Sequence, residues 1–192
     1  IDNSRDLGKQ IIKKVIHKRK QNANLIEKYT ASFYSNGSME ILNFPKKIIG
    51  YDIQQLDPNL KLDSLRNKYV YKSELISKVE VEKPHHFKEI INAHKTKGEH
   101  RGSNFQTAFD SNFDFYENES YRNWKLISPI SNSALAYYKY QLVDEFVDTK
   151  SNKKIYKIKV SALRNVDPVV DGFLYVCDES FQIYAVDFII KG

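Results

Sequence analysis

The chain has 192 residues, of which 41% are hydrophobic and 28% charged, and its mean hydropathy is -0.56. A chain of that size buries roughly 70% of the surface its unfolded form exposes, enough for one globular domain or two small ones, and it holds no low-complexity tract and no apolar run near the ~20 residues of a membrane-spanning helix. The net charge of +6 comes from 24 Lys and only 6 Arg against 24 acids, and Arg is the side chain suited to bidentate phosphate reading, so charge alone names no partner.

Leu7, Ile11, Ile12, Val15 and Ile16 fall within one half of a helical wheel, with Lys9, Lys13, His17 and Lys20 in the other half. The pattern predicts an amphipathic helix starting near Ser4, with Asp6 in its first turn. Tyr29 to Tyr34 then alternates as a strand, Asn36-Gly37 signals a two-residue hairpin, and Ser38 to Leu42 continues as its return strand. Phe44 to Leu65, with Pro45, Gly50 and Asp57-Pro58-Asn59, reads as a connection with little regular structure.

From Lys68 to Val81 the odd positions Tyr69, Tyr71, Leu75, Val79 and Val81 alternate with charged ones, predicting a long half-exposed strand. Phe87 to Thr96 is its expected antiparallel neighbour, after a stop at Pro84. Phe105, Phe109 and Phe113 recur every four residues, which predicts a short helix or irregular plug with three rings on one stripe. Trp124, Leu126 and Ile127 lead into the Ser128-Pro129 break. Strands over Tyr137 to Val147, Ile155 to Ala162 and Gly172 to Cys177 follow, and a hairpin through Asp178-Glu179-Ser180 leads to Phe181 to Ile190. That last run is apolar at almost every position, so both of its faces are expected to be covered. Strands joined by short turns, with helix confined to the start and one insertion, place the chain in the α+β class.

Motifs for chemistry are mostly missing. The sequence has no phosphate-binding glycine loop, no dinucleotide fingerprint, no H-E-x-x-H and no G-x-S-x-G. Among His85, His86, His94 and His100, the pair His86 and His94 shares strand parity and forms the alternative reading, a metal-binding module or metal-dependent enzyme. Against it, adjacent His85 and His86 point to opposite faces of an extended chain. Two acidic groups, Asp110, Asp114, Glu117 and Glu119 in one and Asp167 and Asp171 in the other, match no calcium loop, and Asp167-Pro168 reads as a turn. Cys177 is the only cysteine, which excludes an intrachain disulfide and reads as a small buried side chain. The 13 Tyr and 11 Phe could stack single-stranded bases, but most sit at core parity in strands. The chain opens on Ile1 with no signal pattern and stops straight after a strand-like run, so the expectation is a piece of a longer protein.

The C-terminal third reads Ile127-Ser-Pro-Ile-Ser-Asn-Ser-Ala-Leu-Ala-Tyr-Tyr-Lys-Tyr, then Ile155-Tyr-Lys-Ile-Lys-Val, Asp167-Pro, and Asp171-Gly-Phe-Leu-Tyr-Val-Cys-Asp-Glu-Ser-Phe-Gln-Ile-Tyr-Ala-Val-Asp. Upstream stand Lys72-Ser-Glu-Leu-Ile-Ser-Lys-Val, Lys83-Pro-His-His-Phe-Lys-Glu-Ile-Ile and the aromatic stretch Phe105 to Asn118. With the opening helix and Asn24 to Tyr34, these resemble the middle domain of a family of uncharacterised outer-membrane-associated proteins of Gram-negative bacteria. Its members carry a carboxypeptidase-regulatory-like β-sandwich before that domain and a β-barrel after it. The resemblance covers nearly the whole chain, least so Phe44 to Leu65. It implies a place on the periplasmic side of the outer membrane and adjacent domains of the same chain as partners. It implies no catalytic residue and no cofactor, and no peptidase activity, since the carboxypeptidase label belongs to the regulatory-like sandwich.

A helix followed by long antiparallel strands and a final hairpin also looks like the periplasmic lipoprotein carriers, in which an unclosed curved sheet wraps helices around a hydrophobic cavity. On that likeness Phe105, Phe109, Phe113, Trp124 and Leu126 are the cavity-lining candidates, and the reading that they complete the core stands beside it. The resulting expectation is a single domain over 1–192, a curved antiparallel sheet, open or half-barrel, with an N-terminal amphipathic helix and a short inserted helix. Its function is expected to be non-catalytic binding or scaffolding, with a hydrophobic or lipid-like ligand, or the membrane surface, as a partner and no nucleic acid. The distribution of charge sharpens this. Residues 1–20 carry seven Lys or Arg and two Asp, so nearly all of the excess sits on the outer side of one helix, where an acidic neighbour such as anionic headgroups would face it.

Overall fold

The computed structural model describes residues 3–83, 86–98, 107–111, 113–120, 125–164 and 166–191. In chain order the elements are α1 (Asn3–Ala23), β1 (Lys28–Ile41), β2 (Lys47–Ile48), β3 (Tyr51–Asp52), α2 (Ile53–Leu56), β4 (Lys68–Glu82), β5 (His86–Gly98), β6 (Glu119–Ser120), β7 (Leu126–Ile127), α3 (Ala134–Tyr137), β8 (Tyr138–Val147), β9 (Lys154–Ala162), β10 (Val169–Cys177) and β11 (Ile183–Lys191). The sheets are antiparallel and unclosed. Two compact units result, one from Ile1–Glu27 with Asn112–Gly192, the other from Lys28–Ser111.

In the second unit the sheet order is β1-β4-β5. The period-2 pattern predicted for β4 holds from Ser73 to Val79, while Tyr69 is exposed. Ser73, Leu75, Ser77 and Val79 are buried, while the intervening positions carry ion pairs such as Lys78 to Glu80 at 3.1 Å. The expected hairpin at Asn36-Gly37 does not form. Pairing runs unbroken from Lys28 opposite Glu82, through Gly37 opposite Ser73, and after a shift past Met39 it ends with Ile41 opposite Lys68. A turn dipeptide folds a strand back only if the flanks pair with each other, and here β4 offers a partner along the whole length of β1. Gly37 serves a close approach instead, since a Cβ there would lie 3.1 Å from Ser73 Oγ.

β5 contains a bulge that the sequence does not signal. Ile91 pairs with Ser77 and Ala93 with Ile76, so Asn92 is the extra residue. One inserted residue reverses the parity of everything after it. His86 therefore shares the face of its partner Glu82, whereas His94 shares the opposite, Leu75 face. Eight residues of strand also separate them by roughly 25 Å. The two imidazoles are therefore not placed to share one ion; His85 and His100 lie outside the described residues.

The first unit is a four-stranded meander in the order β11-β10-β9-β8, with α1 packed along one face. Ile12 and Val15 are fully buried and Ile11 nearly so, joined by Tyr138, Tyr140, Ile158, Val160, Leu174 and Val176 from the sheet. Each of the three helical side chains contributes about 1.5–3 kcal/mol on burial. Gly8 lets the helix ride against β8, where its missing Cβ would stand 2.7 Å from the Leu142 nitrogen. Of the stretch that carries the predicted stripe of three rings, residues 107–111 form a turn, and among the described residues the helices after α1 are the single-turn α2 and α3. Ala108 and Phe109 there present their amides to Glu89, which also accepts the Ser77 hydroxyl at 2.6 Å.

The expectation that both faces of the last strand are covered is overturned. β11 is the end strand of its sheet, and Tyr184, Val186, Ile189 and Ile190 are exposed, Ile189 by 68%.

Candidate functional site

Of the five sequence-predicted residues, three are described. Phe105 and Trp124 lie outside the described residues. Phe109 belongs to the second unit, where it is exposed and meets Phe87 edge-on at 5.5 Å. Phe113 belongs to the first and stacks on Phe115 at 6.0 Å, and Leu126 is fully buried among the core residues of that unit. For Leu126 and Phe113, completing the core is what the structure shows.

The polar groups drawn into the first unit are committed to architecture. Residues 115–116 and 126–130 pack in or against the core of that unit, and their peptide groups need partners. Tyr138 donates its hydroxyl to the Ile127 carbonyl and accepts the Val170 N–H at 3.2 Å, and Tyr140 donates to the Pro129 carbonyl at 2.8 Å. Ser128 donates to the Phe115 carbonyl and accepts the Ile130 N–H. Burial pushes both tyrosines well above the usual tyrosine range, so neither is suited to proton transfer near neutrality. Tyr116 moves the same way by burial, against the lowering effect of the Ile183 N–H it accepts at 2.9 Å. Arg19, 5% exposed, donates Nη1 to Asn118 Oδ1 at 2.6 Å and Nη2 to Asn132 Oδ1 at 3.0 Å, tying α1 to residues just beyond both stretches.

Four of the six candidate acids are spent similarly. Asp110 accepts the Thr107 hydroxyl at 2.6 Å, Asp114 accepts the Tyr116 N–H, Asp167 pairs with Arg164, and Asp171 accepts the Ala162 N–H. Among the described residues no three His, Cys, Asp or Glu side chains cluster as metal ligands, and no helix is long and apolar enough to cross a membrane. Cys177 is buried and free.

One surface feature is different in kind. Where α1 meets the turn between β10 and β11, Lys13, Lys14, His17, Lys18 and Phe181 line an open depression of about 340 Å³. The helical spacing i, i+1, i+4, i+5 puts the four basic side chains on adjoining turns. The turn supplies the ring: Glu179 and Phe181 both adopt left-handed backbone, with φ of 61° and 55°. Helix α1 holds that turn in place, with Lys18 donating to the Glu179 carbonyl at 2.7 Å and Asn22 to the carbonyls of Ser180 and Phe181. The ammonium groups of Lys14 and Lys18 each lie 5.2 Å from the Phe181 ring centroid, within cation–π range. No carboxylate among the described residues pairs with Lys13, Lys14 or Lys18. The sequence shows the lysines but not the ring, because Phe181 is more than 160 residues away and no spacing links them.

An antiparallel α+β domain with an N-terminal helix, its interior polar groups tied up in structure and its unpaired chemistry on the surface, is the class these features define. The chain belongs to a family of unknown function, DUF5686, which it matches over residues 11–192. No curated protein and no solved structure matches it.

Proposed function

We propose that this chain is a non-catalytic binding or scaffolding domain on the periplasmic side of the outer membrane, and that it works through the apolar edge of its C-terminal sheet. The observation that carries the reading is β11. Edge strands of stable folds are normally blunted by charge, proline or bulges. β11 carries a bulge at Tyr184, but from Ala185 to Ile190 its pairing with β10 is regular, the single charge is Asp187, and Val186, Ile189 and Ile190 stand exposed beside a backbone bonded on one side to β10. A strand of this composition is suited to strand addition, in which main-chain hydrogen bonds give affinity and alternate side chains give register. The occupant is a segment of the adjoining sandwich or barrel that the family resemblance implies.

The carrier-like variant, a curved sheet around a lipid-like ligand, draws support from the unclosed sheet with a helix on one face. It is the weaker version, because Leu126 and Phe113 occupy core positions. The test uses Ile189→Cys and Val166→Cys, two positions exposed by 68% and 86%. Each is placed in the full-length protein in its own outer membrane and treated with a maleimide after permeabilisation; buried Cys177 serves as the unreactive background. Position 189 is expected to label at least tenfold more slowly than 166. Equal rates overturn the reading of β11, and labelling of 166 in intact cells overturns the periplasmic placement.

A further inference from the structure

We infer that the depression formed by Lys13, Lys14, His17, Lys18 and Phe181 binds the headgroup of an anionic lipid, with the Phe181 ring against the apolar part next to the charge. Like charges at i, i+4, such as Lys14 and Lys18, destabilise a helix, and two ammonium groups over one ring add to that repulsion. Elsewhere the fold sets some of its lysines against acids: Lys28 pairs with Glu82, Lys78 with Glu80 and Lys154 with Glu145. Around Phe181 it does not, although α1 spends Lys18 and Asn22 on fixing that turn. A bound anion supplies the missing countercharge. The identity of the anion follows from the floor of the site. A free inorganic anion gains nothing from an aromatic ring, whereas an amphiphile whose charge adjoins hydrocarbon satisfies lysines and ring together. The volume, about 340 Å³, lies at the small end of ligand sites and suits a headgroup rather than a whole lipid.

The inference rests on the membrane-side placement above for the source of the lipid, but it does not depend on β11. The experiment measures binding of the purified chain to phosphatidylcholine vesicles with and without 30% phosphatidylglycerol, near physiological salt. Binding only to the anionic vesicles is expected. Lys13→Gln with Lys14→Gln is expected to weaken it by about 30-fold, at roughly fivefold per lysine near a charged surface. Lys9→Gln with Lys20→Gln, on the same helix outside the depression, is expected to cost clearly less, and Phe181→Leu to weaken binding while the melting curve shows a folded protein. Equal losses in the two lysine pairs reduce the effect to unspecific attraction and overturn the site. Full competition by millimolar inorganic phosphate overturns the lipid as ligand, and no binding to anionic vesicles overturns the inference outright. All of these leave the labelling result at Ile189 untouched, so the two readings fail separately.

Discussion

Replacing Gly8 by alanine sets two effects of opposite sign against each other. In an exposed helix interior the change stabilises by about 1 kcal/mol, because alanine loses less backbone entropy. At Gly8, however, the new Cβ would stand 2.7 Å from the Leu142 nitrogen, 2.9 Å from the Gln141 carbonyl carbon and 3.0 Å from the Gln141 Cα. These are backbone atoms of β8, held by its ladder with β9, and they cannot swing aside as a flexible side chain would. To restore ordinary contact at ~3.5–4.0 Å the helix must withdraw by about 1 Å. That opens the seam at Ile11, Ile12 and Val15, one to two turns further along. A gap of this size forfeits a quarter to a half of each contact it touches, and overpacking typically costs about 1–3 kcal/mol. With rigid neighbours the upper end applies, leaving a net loss of ~2 kcal/mol and a Tm lower by roughly 4–8 °C for a chain of this length. Thermal melts of Gly8→Ala beside Gln10→Ala, an exposed position of the same helix, provide the assay. Gly8→Ala melting at or above the wild type refutes the close approach of α1 to β8.

Three further outcomes follow from the same structure. Tyr140→Phe removes the hydroxyl that donates to the Pro129 carbonyl and is expected to cost about 1–3 kcal/mol at neutral pH in urea titrations. Because burial raises Tyr138 and Tyr140, the folded state keeps protons that the unfolded chain releases, so stability falls as pH climbs past ~10; that decline should be shallower in Tyr140→Phe. Arg19→Lys keeps the charge but loses the fork between Asn118 and Asn132, and a loss of about 1.5–3 kcal/mol is expected in the same titration. Glu89→Ala frees the amides of Ala108 and Phe109, which should then exchange hydrogen far faster while the β8 to β11 amides keep their protection.

Features set by local periodicity were legible in the residues. The apolar stripe of α1 and the alternation along β4 each report which side of one element faces the core, and both match the burial away from the ends, where Leu7 and Tyr69 are exposed. Features set by pairing were not. Asn36-Gly37 is a turn signal within its own neighbourhood, but the strand it lies in is decided by β4, more than thirty residues downstream. The bulge at Asn92 exists only relative to Ser77 and Ile76, and it alone separates the faces of His86 and His94. The depression at Phe181 depends on a turn and a helix brought together from the two ends of the chain.

The disagreement over β11 is of another sort. An apolar strand is expected to be covered on both faces because exposing large aliphatic side chains forfeits about 25 cal/mol for each Å² left in water. That physical expectation is sound, and the composition of Ile183–Ile190 meets it. The described residues nevertheless leave Val186, Ile189 and Ile190 open at the edge of the sheet. The strand addition proposed for β11 would restore that cover. Protection of position 189 in the membrane is therefore the measurement that decides between a strand that waits for a partner and one whose apolar surface has no use.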